Sequence, residues 1–290
     1  MKGLFYLAAA AVLLLGAGCG DEAGAPPAPA DTAVSAPAAE PAAAAPAAPR
    51  GQARALRPAD TVYEVPEGVS VLMYHMIGDE EGNDAVMRAD LLRRQMAYLR
   101  DEGYHPITMQ ELSDYVIDGA PLPSKPVCIT FDDGYKDNYT IVYPLMKEFG
   151  FPWTVFVITG HMGQPGRMTW EDLAEMADSG TVTIASHTVS HPTLTELTAE
   201  EVRREIQGAQ QDLKMHLGID NPWLAFPNGA RNDMVDEAAR EAGIRLAVIT
   251  VPGRVHAGER PYELCRVWVG NQVDEAHFAE RLTRDDYSII

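Results

Sequence analysis

From Val69 onward, short apolar stretches alternate with amphipathic segments, and this alternation restricts the fold more than any other feature. Short apolar runs bounded by polar segments are typical of buried strands, and the longer segments between them have helical spacing. Seven strands are predicted, at 69–75, 127–131, 153–158, 182–186, 223–226, 245–250 and 264–269. Six helices are predicted, at 88–102, 108–118, 138–149, 169–178, 198–217 and 231–242. Repeated βα units of this kind form a parallel sheet that is covered by helices.

Polar residues capable of chemistry follow several predicted strands at their C-terminal ends, namely His75, Asp132 with Asp133, His187 and Asn228. In a (β/α) barrel these ends share one mouth, where active sites are built. An open doubly wound sheet would instead collect such residues at a single switch point. The sequence therefore favours an α/β fold, a distorted (β/α) barrel of about seven parallel strands.

Two adjacent acids, Asp132 and Asp133, interrupt an apolar run in the stretch ITFDDGYKDN. Neighbouring strand residues point to opposite faces, so a continuing strand would send one carboxylate into a core. An unpaired charge is very costly there. The strand must therefore end at this point, or the acids must have a partner.

Two histidines, His187 and His191, stand four residues apart in SHTVSHP, directly after a predicted strand. On a helical turn this spacing stacks two imidazoles on one face, which suits a divalent metal. The spacing alone is weak evidence, because many such pairs are solvent-exposed or cap a turn. A carboxylate from another strand end would complete a catalytic set that leaves room for water and substrate.

The segments TFDDG, SHTVSH and FPNG, in this order and at these separations, resemble the motifs of the polysaccharide deacetylases, the NodB-homology or carbohydrate esterase family 4 group. The resemblance covers residues 69–270, and VLMYHMIGD at 71–79 is similar to the exported branch that deacetylates poly-β-1,6-N-acetylglucosamine. It implies a metal-dependent hydrolase that removes N-acetyl groups from an extracellular or cell-envelope polysaccharide containing N-acetylglucosamine. The alternatives are a peptidoglycan, chitin-oligomer or acetylxylan deacetylase, or a catalytically idle glycan-binding protein.

The resemblance also implies roles for individual residues. Asp133, His187 and His191 would bind one divalent metal ion, with zinc as the first expectation and cobalt, nickel or iron as alternatives. Asp132 would be the general base. The backbone N–H of Asn228 would donate a hydrogen bond to the oxyanion.

The chain departs from most of this family at two positions. The late Leu-x-x-His motif that supplies the general acid in most relatives is absent. The chain resembles the biofilm-type branch in having a Tyr-His near its first strand, and this resemblance implies His75 as the acid, with His256 as the alternative. A structural histidine without a catalytic role is the other interpretation of His75. Ala225 stands where most relatives have an arginine, so Arg266 is the candidate for the positive charge beside Asp132, unless it forms a surface or rim ion pair.

Aromatic side chains bind sugars because their faces stack on pyranose rings. The candidates are Tyr135, Trp170, Trp223 and Trp268, whereas Trp153 begins a strand and is expected in the core. Tyr135 and Trp268 are the preferred substrate-binding residues, and Tyr135 directly follows the paired acids.

The first residues predict export. One lysine, an apolar run from Leu4 to Leu15 and small residues up to Cys19 have the layout of a signal peptide, and the run is too short to span a bilayer. LLLGAGC resembles a lipobox, so residues 1–19 are expected to be a lipoprotein signal and Cys19 to be lipidated. Ordinary signal cleavage near residues 17–20 is the alternative.

Residues 20–60 are rich in Ala and Pro and have little to bury, which predicts a disordered linker. The catalytic domain is then expected over residues 61–290. With this organisation the protein would be exported and would face the periplasm or cell exterior. Its N-terminal lipid would be its only contact with the membrane. The sequence leaves the oligomeric state open.

The formal net charge of −19 at pH 7 argues against nucleic acid as a partner, because phosphates would be repelled. A neutral or cationic partner is easier to accommodate, as an N-acetylglucosamine polysaccharide would be. Cys128 and Cys265 both lie in apolar strand-like stretches, where two free thiols are at least as common as a bridge. No disulfide is expected.

Overall fold

The computed structural model describes residues 49–80 and 82–287. The predicted signal peptide at 1–19 with Cys19, and the predicted linker as far as residue 48, lie outside the described residues. No helix within the described ranges is both long enough and apolar enough to cross a membrane.

The described chain alternates short strands with helices. The strands are β1 (Tyr63–Glu64), β2 (Ser70–Tyr74), β3 (Met76–Ile77), β4 (Val86–Met87), β5 (His105–Ile107), β6 (Leu122–Pro123), β7 (Pro126–Phe131), β8 (Trp153–Val157), β9 (Val182–Ser186), β10 (Trp223–Ala225), β11 (Leu246–Pro252) and β12 (Leu264–Trp268). The helices are α1 (Ala89–Asp101), α2 (Met109–Asp118), α3 (Tyr143–Phe149), α4 (Trp170–Asp178), α5 (Ala199–Leu217), α6 (Asp233–Glu241) and α7 (Glu275–Arg281). A π-helical turn at Asn138–Val142 leads directly into α3.

Seven parallel strands close into a barrel in the order β2–β12–β11–β10–β9–β8–β7, with β7 pairing back to β2. The short β5 pairs with the first half of β7. The predicted barrel is therefore confirmed, and each of the seven predicted strands and six predicted helices has a counterpart. Outside the barrel, β1 pairs antiparallel with β6, and β3 pairs with β4.

Five of the seven barrel strands are buried along their whole length, because the interior is filled by side chains and helices cover the outside. Every residue of β2, β7, β8, β9 and β10 is buried. This two-sided burial explains why the sequence shows continuous apolar runs rather than alternation.

The packed chain begins before the predicted end of the linker at residue 60. The backbone N–H of Gly51 donates to Ala177 O at 3.1 Å, and Gly51 O accepts from the N–H of Ile184 at 2.9 Å. The indole of Trp223 donates to the side chain of Gln52 at 2.9 Å. The linker prediction is therefore too long at its C-terminal end, because composition does not reveal which backbone groups pair with the barrel.

The two cysteines of the described chain are both free. Cys128 is buried in β7, and its thiol lies 3.9 Å from the sulfur of Met109. Burial raises the pKa of this thiol to about 12, so it stays protonated at neutral pH.

Candidate active site

A cavity of about 510 Å³ lies at the C-terminal ends of the barrel strands. Its lining consists of Met73, His75, Asp132, Asp133, His187, His191, Phe226, Asn228, Thr250 and Trp268. Seven of these ten residues are predicted site residues, and they come from the ends of five strands. The closed barrel thus brings together side chains that are far apart in the sequence.

The chain leaves β7 at the paired acids through two residues in the left-handed region. Asp133 has a φ of 73° and Gly134 a φ of 69°. A Cβ atom at Gly134 would lie 3.0 Å from the Met162 methyl group and 3.2 Å from a Val157 methyl group. Glycine suits this position because of both the positive φ and the limited space. The turn breaks the alternation of the strand and lets both acids face the mouth of the barrel.

Left-handed backbone is concentrated at this site. Five non-glycine residues in the described ranges have a positive φ, and four of them, Asp133, Thr188, His191 and Asn228, belong to the loops that form the cavity. Each such conformation costs on the order of 1–3 kcal/mol and persists only where the surroundings hold it. Backbone of this kind is typical of ligand-binding and catalytic loops, so these loops are candidates for such a role.

Asp133, His187 and His191 fit a divalent metal ion. One ligand atom from each lies within 4.8 Å of the others. Oδ1 of Asp133 is 3.7 Å from Nε2 of His187 and 3.8 Å from Nε2 of His191. Ligands about 2.0–2.2 Å from a shared zinc ion are roughly 3–4 Å apart, and two imidazoles with one carboxylate are a common catalytic donor set.

The ring of His187 is oriented by the strand beside it. Its Nδ1 lies 2.7 Å from Ala225 O, which makes Nδ1 the donor and leaves Nε2 free for a ligand. Burial lowers the pKa of His187 to about 4, although the charges of Asp132 and Asp133 oppose this shift. The imidazole is therefore neutral at pH 7, as a metal ligand must be.

Asp132 forms a buried ion pair with Arg266. The guanidinium donates from Nη1 to Oδ1 and from Nη2 to Oδ2, both at 2.7 Å, and the two residues are 2% and 0% exposed. Burial by itself would raise the pKa of Asp132, but the charge and hydrogen bonds of Arg266 outweigh it and hold the pKa well below its usual range. Arg266 thus lies inside the barrel rather than on a surface or rim.

His75 and His256 lie at opposite ends of the barrel. Nε2 of His75 is 4.0 Å from Oδ2 of Asp132, and its ring centroid is 5.0 Å from that of Trp268. His256 instead packs against Gly68, just before β2 begins, and its Nδ1 is 2.8 Å from Glu259. Of these two candidate acids, only His75 lines the cavity.

Asn228 lies at the tip of the FPNG turn, with a φ of 57°. Its backbone N–H has no acceptor in the described part of the chain, and its carbonyl accepts a hydrogen bond from Thr250 at 3.2 Å. A Cβ at Gly229 would lie only 2.4 Å from the Thr250 hydroxyl, so the turn requires glycine there. The conformation leaves the Asn228 N–H free to donate to a bound group.

Trp268 lines the cavity, whereas Tyr135 does not. The guanidinium of Arg167 covers one face of the Tyr135 ring at 4.0 Å, so that face is closed to a sugar. The Trp268 indole N–H donates a hydrogen bond to the Asp84 carboxylate at 2.7 Å, which fixes the orientation of the ring. Asp84 was not anticipated from the sequence, because nothing local links residue 84 to β12.

The remaining tryptophans lie away from the cavity. Trp223 is buried, and Trp170 stacks on His216 with centroids 4.2 Å apart. Trp153 is buried in the core and packs edge-on against Phe131 at 5.3 Å, as predicted. Phe226, Met73 and Thr250 also line the cavity, although their types did not single them out in the sequence.

Known proteins resemble this chain in both sequence and fold. The family model described as polysaccharide deacetylase matches residues 119–247, which contain all three motifs. The chain is 32% identical over 206 residues to YxkH of Bacillus subtilis (strain 168), whose name assigns it to the polysaccharide deacetylases, and the match covers 71% of this chain and 73% of that protein.

A second relative is the poly-beta-1,6-N-acetyl-D-glucosamine N-deacetylase of Escherichia coli (strain K12). It is 32% identical over 259 residues, and the match covers 74% of this chain but only 38% of that longer protein. Among solved structures, Streptococcus pyogenes deacetylase PplD in complex with acetate has a TM-score of 0.70 and 25% identity, covering 77% of this chain and 100% of that chain. The site geometry, the family match and the extended similarity to YxkH together show that this chain belongs to the polysaccharide deacetylase family.

Proposed function

We propose that this deacetylase is a metal-dependent hydrolase that removes N-acetyl groups from an extracellular or cell-envelope polysaccharide, with poly-β-1,6-N-acetylglucosamine as its substrate. The observation that carries the proposal is the convergence of Asp133, His187 and His191 beside the ion-paired Asp132. The name of the Escherichia coli relative supports this choice of sugar and linkage. The acetate in the PplD complex is the product expected of such a reaction.

Asp133, His187 and His191 would hold the metal ion, for which zinc is the first candidate. A bound divalent ion supplies Lewis-acid chemistry, which polarises the acetamide carbonyl and makes water more acidic. The neutral state of His187 at pH 7 keeps its Nε2 lone pair available for this role.

Asp132 is proposed as the general base. Its pKa lies far below neutrality, so the carboxylate is ionised and can accept a proton from the attacking water. Arg266 holds both carboxylate oxygens, which fixes the direction from which the proton arrives. The N–H of Asn228 would donate to the oxygen that becomes negative as the water adds.

His75 is proposed to deliver a proton to the departing glucosamine nitrogen as the C–N bond breaks. Burial lowers its pKa, against the opposing charges of Asp132 and Asp133, so the imidazole is mainly neutral at pH 7 in the free protein. Its Nε2 lies 4.0 Å from Asp132, close to the proton that this base receives. Asp132 would take one hydrogen of the attacking water, and this proton passes through His75 to the amine as the C–N bond breaks. The other hydrogen stays on the carboxyl group of the acetic acid product, which then ionises, and Asp132 and His75 return to their starting states.

Replacing His75 with alanine is expected to lower kcat by about 10²–10⁴-fold, the usual contribution of a general acid. The matched control is His256→Ala, which removes an imidazole at the opposite end of the barrel and should leave kcat at the parental value. Both are measured by acetate release at saturating substrate. Full kcat in His75→Ala would remove His75 from the mechanism.

Export and lipidation of Cys19 form part of this proposal and rest on the sequence alone. The catalytic domain predicted over residues 61–290 is proposed to begin earlier, near Gly51, whose backbone pairs with the barrel. A lipid at Cys19 followed by an Ala- and Pro-rich segment would place the enzyme outside the cytoplasm, where such polysaccharides occur. Substrate contact is assigned to Trp268, whose ring borders the cavity beside His75. Tyr135 remains a weaker candidate, since it does not line the cavity and Arg167 covers one face of its ring.

The proposal is tested by acetate release from β-1,6-linked and β-1,4-linked N-acetylglucosamine oligomers and from peptidoglycan, with metal content measured on the same sample. We expect release from the β-1,6 oligomers to be fastest, to stop on chelation and to return when Zn²⁺ is added. Activity that survives removal of all metal would contradict the mechanism. Preference for peptidoglycan or the β-1,4 oligomers would keep the chemistry and change the substrate.

A further inference from the structure

The two histidines of the candidate metal site are held in different ways. His187 is buried, and its ring is tied to Ala225 O by the hydrogen bond from Nδ1. The His191 side chain is 28% exposed, and its ring lies against His187 and Asp133 without a hydrogen bond to any other described residue. The position of the His191 ring therefore depends on the loop that carries it.

That loop, residues 188–191, is strained at both ends. Thr188 has a φ of 66° and His191 a φ of 60°. Left-handed backbone in non-glycine residues costs on the order of 1–3 kcal/mol each, so the loop needs outside contacts to keep this shape. The loop's own contact, from the His191 N–H to the Thr188 hydroxyl at 3.1 Å, does not connect it to the rest of the protein.

Glu205, on α5, supplies the main side-chain contact to this loop. Its Oε2 accepts the backbone N–H groups of Val189 at 3.0 Å and Ser190 at 2.8 Å. Its Oε1 accepts the hydroxyl of Ser190 at 2.7 Å. One carboxylate thus binds the two residues directly before His191, and hydrogen bonds to a charged acceptor are roughly twice as strong as neutral ones.

The contact is firm because both of its sides are anchored. Val202, Ile206 and Ala209 of α5 are buried and fix the helix that carries Glu205. The loop also accepts two backbone hydrogen bonds, from the N–H of Thr159 to Thr188 O at 3.1 Å and from the N–H of Gly160 to Val189 O at 2.9 Å. Backbone donors therefore hold its first two residues, and the Glu205 carboxylate holds the two residues directly before His191.

We propose that Glu205 is a positioning residue for the metal site, because it holds residues 188–191 in the conformation that presents His191 to the ion. The inference rests on the proposed function, since it takes His191 to be a metal ligand. Glu205 itself does not line the cavity and is not one of the candidate ligands. Its loss should therefore weaken metal binding more than it slows the chemistry of the loaded enzyme.

The test measures the Kd for Zn²⁺ on metal-free protein, with a chromophoric chelator as competitor. Glu205→Ala is expected to raise Kd about 10–100-fold, as loss of a residue supporting a ligand typically does. Glu205→Gln keeps an oxygen for the two N–H groups and should recover most of the affinity. Glu200→Ala removes an exposed carboxylate from the same helix without a contact to the loop and should keep the parental Kd. At saturating Zn²⁺, kcat of Glu205→Ala should return close to the parental value.

An unchanged Kd in folded Glu205→Ala would overturn the inference, and so would an equal loss in Glu200→Ala. If Glu205→Ala does not fold, as judged by circular dichroism, Ser190→Ala takes its place. That variant removes only the hydroxyl contact, and its Kd should rise about 2–10-fold; a parental Kd there would also overturn the inference. A parent protein that binds no Zn²⁺ would instead refute the metal site of the proposed function.

Discussion

Asp132→Asn is expected to lower kcat by about 10²–10⁴-fold while leaving the Kd for Zn²⁺ near the parental value. The reason is that asparagine cannot accept the proton, whereas the three candidate ligand atoms belong to Asp133, His187 and His191. His187→Ala is the contrasting variant, because it removes one of those ligands. Acetate release and metal content are measured together for each protein.

The pair of variants separates the base from the ligands. His187→Ala should lose both metal and turnover, and added Zn²⁺ should not restore its activity at concentrations that saturate the parent. Parental turnover in Asp132→Asn would show that the base has been assigned to the wrong acid. Loss of metal from Asp132→Asn would show that Asp132 is itself a metal ligand.

Arg266→Met is expected to destabilise the metal-free protein by about 3–5 kcal/mol at pH 7, the usual cost of leaving one partner of a buried ion pair uncompensated. Asp132 is 2% exposed, so solvent would compensate for little of the charge and hydrogen bonding that the guanidinium provides. The same change should remove most activity, because the isolated carboxyl would protonate and cease to act as a base. Urea unfolding gives the free energy, and Arg266→Lys shows how much depends on the guanidinium rather than on charge alone.

The pH dependence gives this prediction a definite sign. In the parent, the pKa of Asp132 is lowered on folding, so the stability from this pair is present above the unfolded pKa of about 4 and is lost only as the pH falls through the folded value. In Arg266→Met the folded pKa is expected to be raised, so its destabilisation should shrink as the pH is lowered from 7 towards 4. The double variant Asp132→Asn, Arg266→Met carries no buried charge at this pair and should recover much of the loss. A stability gap that stays constant across this pH range would contradict the account.

The motifs predicted much of the cavity because their geometry is local. In TFDDG, the apolar strand and the following Gly134 already indicate a turn that places two acids beyond the end of the strand. In SHTVSH, the two histidines lie close together as their spacing predicts, but a strained loop joins them rather than a helical turn. Short-range spacing was therefore a sound guide to which residues meet, and a poor one to the backbone between them.

Elements with weak local signals were missed. β5 has only three residues, one of them a proline, and α7 has seven, so neither gives a clear periodicity. The start of the folded domain was also placed too late, because no local pattern around Gly51 shows that its backbone pairs with the barrel. Contacts of this type leave no trace in composition.

Long-range pairings needed the folded chain. The sequence left Arg266 with two interpretations, and the structure pairs it with Asp132, 134 residues earlier. The sequence also left two histidines, His75 and His256, as candidate general acids, because the order of residues in the chain does not show at which end of the barrel a loop lies. Asp84 behind Trp268 and Glu205 behind the His191 loop had no sequence signal at all.

The amino-acid sequence by itself determined the series of βα units and the polar residues that end several of the strands. These features depend on apolar periodicity and turn chemistry, which act over a few neighbouring residues. Only the tertiary structure decided that Arg266 neutralises Asp132, that His75 rather than His256 reaches the cavity, and which acid supports the His191 loop. Each of these contacts depends on the closure of the barrel, which brings together residues that are far apart in the chain. The separation of two residues in the sequence does not show how far apart they lie in the closed barrel.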